Sequence, residues 1–175
     1  SFLIGSFPEA EVKICDYKRV VKDLNGLSEQ DFLGAVSSAF DVVEKDSAAK
    51  PSARNSFGTY LAGKWYALSS NDPALSDGSP VDILDISLLT SRLLEPVLSI
   101  GDPRVDPRID FIGGIRGMAE LEKRVNSGNW AVAFALFPTS MADLMSVADA
   151  EEVMPPKSTW FEPKLADGMV SLVLE

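Results

Sequence analysis

Hydrophobic and polar positions break this chain into short alternating stretches separated by helical periods. Phe2 to Phe7, the break Pro8-Glu9-Ala10 and the segment Glu11 to Tyr17 predict an N-terminal β-hairpin. In its second arm Val12, Ile14 and Asp16 alternate with Lys13, Cys15 and Tyr17. Ser28 then stands as an N-cap, with Asp31 near the capping-box position and Leu27 and Phe32 at staple spacing. Phe32, Leu33, Val36 and Phe40 follow at helical spacing and form the expected buried face. The polar, aperiodic run from Ser47 to Ser56 reads as a mobile loop. Phe57 to Leu68 reads as a second hairpin turning at Gly63, with Tyr60, Trp65 and Tyr66 in its core.

A Ser-, Asp-, Pro- and Gly-rich loop, Ser69 to Pro80, leads to a helix from about Asp85. Ile86, Leu89, Leu93, Val97 and Ile100 mark its apolar stripe, and Pro96 should kink it or end it early. Gly101 to Arg108, with two Asp-Pro pairs, is a stiff connection into a strand from Ile109 to Ile112. Gly113-Gly114-Ile115-Arg116-Gly117 then opens a helix carrying Met118, Leu121 and Val125 inward, with Gly128 as its terminator. Trp130 to Phe137 is almost continuously apolar and predicts a central strand covered on both faces. Pro138-Thr139-Ser140 starts a short helix with Met141, Leu144, Met145 and Ala148 inward. The proline-rich stretch from Glu152 to Gly168 follows, and Met169 to Leu174 closes the chain as a strand.

Antiparallel hairpins first and β-α-β-α-β alternation afterwards predict an α+β domain, a mixed and largely antiparallel sheet with helices packed against it. A chain of 175 residues is expected to form one domain, residues 1–175, with 1–70 and 81–175 as its natural sub-units. It begins at Ser1 directly on an apolar strand, so a piece of a longer protein is expected.

Composition narrows the chemistry. With no histidine and a single cysteine, Ser-His-Asp and Cys-His catalysis are excluded from these residues, and a zinc site is not expected. Cys15 lies in a predicted strand and reads as a small buried hydrophobe. A net charge of -10 opposes direct binding to nucleic acid or an anionic membrane. No apolar run approaches the roughly 20 residues needed to cross a bilayer, and a cytoplasmic location is expected.

Two segments carry candidate chemistry. In the first, Gly114 and Gly117 flank Arg116 between a strand and a helix. Free backbone N–H groups and the guanidinium there could hold a phosphate or carboxylate, although glycines in a tight turn need no ligand. In the second, Lys157, Ser158, Thr159 and Lys164 lie in the proline-stiffened loop, as ligand groups or as a lid pinned by Trp160 and Phe161. Asp110 and Glu120 beside Arg116 could serve as acid and base, but surface pairing explains them more simply. Asp102, Asp106 and Asp110 recur every four residues, yet the intervening prolines prevent a helix from aligning them on a metal.

Asp16-Tyr17-Lys18-Arg19-Val20-Val21, Asp110-Phe111-Ile112-Gly113-Gly114-Ile115-Arg116-Gly117 and above all Met154-Pro155-Pro156-Lys157-Ser158-Thr159-Trp160-Phe161-Glu162-Pro163-Lys164-Leu165 resemble the C-terminal half of the bacterial family called domain of unknown function 1015. The resemblance implies a longer protein whose N-terminal half is ParB-like or sulfiredoxin-like and carries an Asp-Gly-His-His-Arg signature that this chain lacks. It implies ATP or ADP with magnesium bound through that other half, in a fold that includes free-serine kinases. On this reading the present chain is inactive alone. It completes, with its N-terminal domain, a site for a small anionic metabolite, and the whole is a small-molecule kinase. The alternative it implies is a ParB-like regulatory or interaction module without catalysis, with a homodimer as one form.

Overall fold

The computed structural model describes residues 8, 11–71 and 78–164. In chain order the elements are β1 (Lys13–Cys15), β2 (Tyr17–Val21), α1 (Glu29–Val36), β3 (Phe40–Lys45), β4 (Ser56–Leu61), β5 (Lys64–Ser70), α2 (Asp85–Leu89), β6 (Ile109–Gly113), α3 (Ala119–Asn126), β7 (Val132–Leu136), α4 (Met141–Asp149) and β8 (Trp160–Glu162). Six strands form one sheet in the order β3-β5-β4-β7-β2-β6, and β1 pairs with β8 in a separate two-stranded ribbon. Every pairing among the described residues is antiparallel. The architecture is α+β, with helices packed against antiparallel sheets.

Alternation along the strands divides the core in two. On one face Val21, Phe57, Leu61, Ile109, Val132, Phe134 and Leu136 pack with α1, α2 and Val147 of α4. On the other, Val20, Tyr60, Trp65, Ile112, Ala133 and Ala135 pack with Leu121 and Val125 of α3. β7 is covered on both faces, as its unbroken apolar run predicts, and all five of its residues are buried. The hydroxyl of Trp65's neighbour on the hairpin, Tyr60, donates to Asn126, and the Trp65 indole N–H donates to Glu122 at 2.7 Å. These bonds fasten the second hairpin to α3.

Local signals hold at several ends. Ser28 accepts the Asp31 N–H at 3.1 Å and caps α1. Ser140 and Asp143 form a full capping box on α4, with bonds of 3.1 and 2.9 Å. The β4–β5 turn puts Ala62 and Gly63 at φ 48° and 82°, the positive angles that a two-residue hairpin loop requires at both corners.

The structure departs from the pattern elsewhere. Phe40 is not on α1: three turn residues end the helix, and Phe40 starts β3, an edge strand whose outer residues are mostly exposed. The strand expected to stop at Tyr17 resumes after Asp16 and runs to Val21, with Lys18 and Arg19 buried inside it. The helix at Asp85 widens after Leu89 into a π-helical turn from Thr90 to Leu94, where the Glu95 N–H reaches the Thr90 carbonyl, and Pro96 follows its end. In α4 the inward residue is Val147, whereas Met145 is 52% exposed and Ala148 is exposed too. Both were expected inward because the stripe was set one position out of phase. The strands expected over Phe2 to Phe7 and Met169 to Leu174 lie outside the described residues.

Candidate functional site

The turn between β6 and α3 is shaped by close packing. A Cβ at Gly113 would lie 2.5 Å from the Trp160 ring, and one at Gly114 would lie 2.5 Å from the Asp16 carbonyl oxygen. Gly117 takes φ 69° at the end of a tight turn that its N–H closes onto the Gly114 carbonyl. These glycines are accounted for by backbone geometry. Arg116, by contrast, projects outward, with its side chain 61% exposed and a loose 3.8 Å contact to Glu120.

The proline-rich loop folds back over the same end of the sheet. Ser158 is buried and its hydroxyl donates to the Pro155 carbonyl, while its own carbonyl accepts a long 3.5 Å bond from the Thr139 hydroxyl. The loop's two lysines stay on the outside. Lys157 Nζ lies 5.5 Å from the centre of the Tyr17 ring, and Lys164 Nζ lies 4.2 Å from that of Trp160. Trp160 meets Tyr17 edge to face at 5.3 Å.

The two segments converge. Arg116 and Lys157 line one open cleft of about 300 Å³ together with Arg124, Asp110, Tyr17 and Trp160. Arg124 is held by Glu120 at 3.1 Å and by Asp110 at 3.6 Å. Asp110 and Glu120 thus serve as ion-pair partners and leave Arg116 and Lys157 as the less committed cations. Of the residues singled out in the sequence, Arg116 and Lys157 meet in this cleft, while Gly114 and Gly117 line a different pocket of similar size, beside Cys15 and Lys18.

Sequence reading missed a further cavity. It measures about 690 Å³ and is lined by Arg19, Phe111, Thr90, Asp82, Glu95 and Asp102 among others. Arg19 is 1% exposed, donates to the carbonyls of Tyr17 and Lys157, and lies 5.5 Å from the centre of the Phe111 ring. Burial pulls its pKa down to about 9, with Asp16 acting against the fall, so it remains a cation at neutral pH. The available signal was a pair of cations directly before Val20-Val21, a place where a solvated face would not be followed by two buried valines.

The Asp102–Arg104 and Asp106–Arg108 pairs are local clasps at 2.8 and 2.9 Å, which hold the Asp102 carboxyl down at about 2 and Asp106 below its usual range, chiefly by hydrogen bonding from the paired arginines. Among the described residues no group of three or more carboxylate, cysteine or histidine side chains is placed to hold a metal ion, and no helix is long and apolar enough to cross a membrane.

Residues 1–87 match the family described as "Protein of unknown function (DUF1015)". The match is consistent with membership of that family, and it includes the Asp16 to Val21 motif but neither the Gly113 turn nor the proline-rich loop. No curated protein sequence matches the chain. Two variants of a free serine kinase, each solved in complex with AMP, share its fold. One aligns at TM-score 0.52 and 15% identity, the other at 0.51 and 16%, each over 87% of this chain and 55% of the kinase. The chain therefore spans little more than half the length of the solved structures it matches.

Proposed function

We propose that this chain forms part of a nucleotide-dependent protein acting on a small metabolite, and that the cleft between the β6–α3 turn and the proline-rich loop binds the anionic part of the nucleotide. The observation that carries the reading is the meeting of Arg116 and Lys157 in one cleft beside Tyr17 and Trp160. Cations supply charge-assisted hydrogen bonds to phosphate oxygens. The chain's net charge of -10 makes such a cluster stand out against an opposing field. The fold shared with kinase structures that hold AMP supports the same reading.

The remainder of the binding site, and the group that receives phosphate, would come from the rest of the full-length protein. No group of three or more carboxylate side chains is placed to hold a magnesium ion among the described residues, so in this reading the ion would arrive on the nucleotide or be held elsewhere. The test is calorimetric titration of the full-length protein with AMP, ADP and ATP. Binding that weakens about tenfold in Lys157→Gln and again in Arg116→Gln is expected for loss of one charge-assisted contact each. Absence of nucleotide binding, or binding indifferent to both substitutions, would overturn it.

A further inference from the structure

β2 buries two cations but provides for only one. Lys18, 4% exposed, lies 3.2 and 3.1 Å from the two carboxylate oxygens of Asp16 and also donates to the Gly114 carbonyl. Arg19 follows it on the opposite face of the sheet and forms no ion pair among the described residues. Its Nη atoms are engaged by two backbone carbonyls and its Nε has no hydrogen-bond partner. An ion taken out of water at such a site costs several kcal/mol unless a counter-charge restores it, and two carbonyls and a ring face offset only part of that cost. The missing element is an anion, and Arg19 lines a cavity of about 690 Å³.

The rest of the lining constrains which anion. Asp82, Glu95 and Asp102 border the cavity together with one further cation, Arg104, which is paired with Asp102, so the wall away from Arg19 keeps a net negative charge through Asp82 and Glu95. A phosphate or nucleotide carrying two or more negative charges would meet repulsion from that wall. Asp102 is already committed to Arg104, but the exposed Glu95 side chain has no hydrogen bond or ion pair among the described residues. A molecule with a carboxylate at one end and an ammonium at the other satisfies both ends. We propose that this cavity binds a small zwitterion of the amino-acid type, its carboxylate on Arg19 and its ammonium toward Glu95 and Asp82.

The inference deepens the proposed function, since it names the class of metabolite, but the binding itself does not depend on the nucleotide. The two sites adjoin: Phe111 lines both, and the Lys157 carbonyl that accepts from Arg19 belongs to the residue whose ammonium faces the cleft. The experiment is calorimetric titration of the full-length protein, without nucleotide, against the common L-amino acids, the N-acetyl and amide derivatives of any that bind, and inorganic phosphate. At least one amino acid is expected to bind, with the two derivatives each about tenfold weaker or worse, since each lacks one charge. The double variant Asp82→Asn, Glu95→Gln changes groups at the cavity mouth, leaves the buried end intact, and should weaken binding by a similar factor.

Arg19→Met should abolish binding, and circular dichroism establishes whether that variant folds; where it does not, the mouth variant and the derivatives decide. Phosphate binding in place of amino acids, derivatives that bind as well as the parent, or a mouth variant with unchanged affinity would each overturn the proposal. Nucleotide binding lost in Lys157→Gln with amino-acid binding retained would separate this site from the cleft. Failure of amino acids alone would leave the nucleotide reading standing.

Discussion

Trp160 lies against the backbone of Gly113, with no room between them for even a methyl group: a Cβ there would be 2.5 Å from one ring carbon and 2.6 Å from the next. The contact joins β8 to the end of β6 and sets the floor of the cation-lined cleft. Gly113→Ala must push the indole away, and overpacking of this kind costs about 1–3 kcal/mol. Urea denaturation of the variant, followed by tryptophan fluorescence, is expected to show that loss together with a changed native spectrum. An unchanged midpoint would mean that the ring yields freely.

Asp85 connects the start of α2 to the loop before β4, accepting the Asn55 N–H at 2.8 Å. Burial raises its pKa from 3.8 to about 6, with Asp143 adding to the rise and the Asn55 N–H and Arg54 opposing it. The folded state therefore holds the Asp85 proton more tightly than the unfolded chain does. Its contribution to stability is most favourable below pH 4 and declines as pH rises toward 6 and beyond. Asp85→Asn keeps an acceptor for Asn55 and removes the titration. Above pH 7 it should stabilise the protein by on the order of 2 kcal/mol, a gain that disappears near pH 4. Thermal melts of both proteins across pH 4 to 8 would show the two curves converging at the acid end.

Ser140 satisfies the first turn of α4 and is itself bonded by Asp143, which also pairs with Arg54 at 2.9 Å. Ser140→Ala removes the cap and should cost about 1 kcal/mol. Asp143→Ala removes the other half of the box and the Arg54 contact as well, and should cost more than Ser140→Ala. Chemical denaturation of the two single variants gives the order directly.

Trp65 is buried and its indole N–H points to Glu122. Trp65→Phe leaves that carboxylate without its donor and opens a small void, so a loss of about 2–3 kcal/mol is expected from the hydrogen bond and packing together. Glu122→Gln keeps an acceptor in place and should cost less. Urea denaturation of the two variants gives the order, and a Trp65→Phe midpoint equal to that of the unaltered protein would mean that neither the bond nor the packing carries stability.

Much of the fold was legible because its signals are local. Ser28 and Ser140 announce helix starts through their own hydroxyls, Gly63 marks a hairpin by its backbone freedom, and the Trp130 to Phe137 run needs both faces covered wherever the strand is placed. The illegible parts depend on partners far along the chain. Lys18 and Arg19 look solvated in sequence; Asp16 shields one, and the Lys157 carbonyl, 138 residues away, receives the other. β8 hides inside a proline-rich loop because its pairing with β1 joins residues near opposite ends of the described chain. Phe40 kept the helical rhythm by coincidence, since three turn residues reset the phase before it. For the candidate site, residue types pointed to Arg116 and Lys157 separately, and only the fold-back of the loop brings them together.

The place of β2 in the sheet has a consequence for how the protein assembles. β6, α3 and β7 follow one another in sequence, yet β6 and β7 never touch as neighbours, because β2 occupies the slot between them. Until residues 17–21 arrive, that later unit has two facing edges with unpaired backbone groups, the arrangement that invites pairing with other chains. Closing the slot requires contact across some ninety residues of chain, from Val21 to Ile109, an entropic demand that slows folding. The segment that carries Arg19 is thus the strand that bridges β6 and β7, and the sheet is continuous there only with the buried cation inside it.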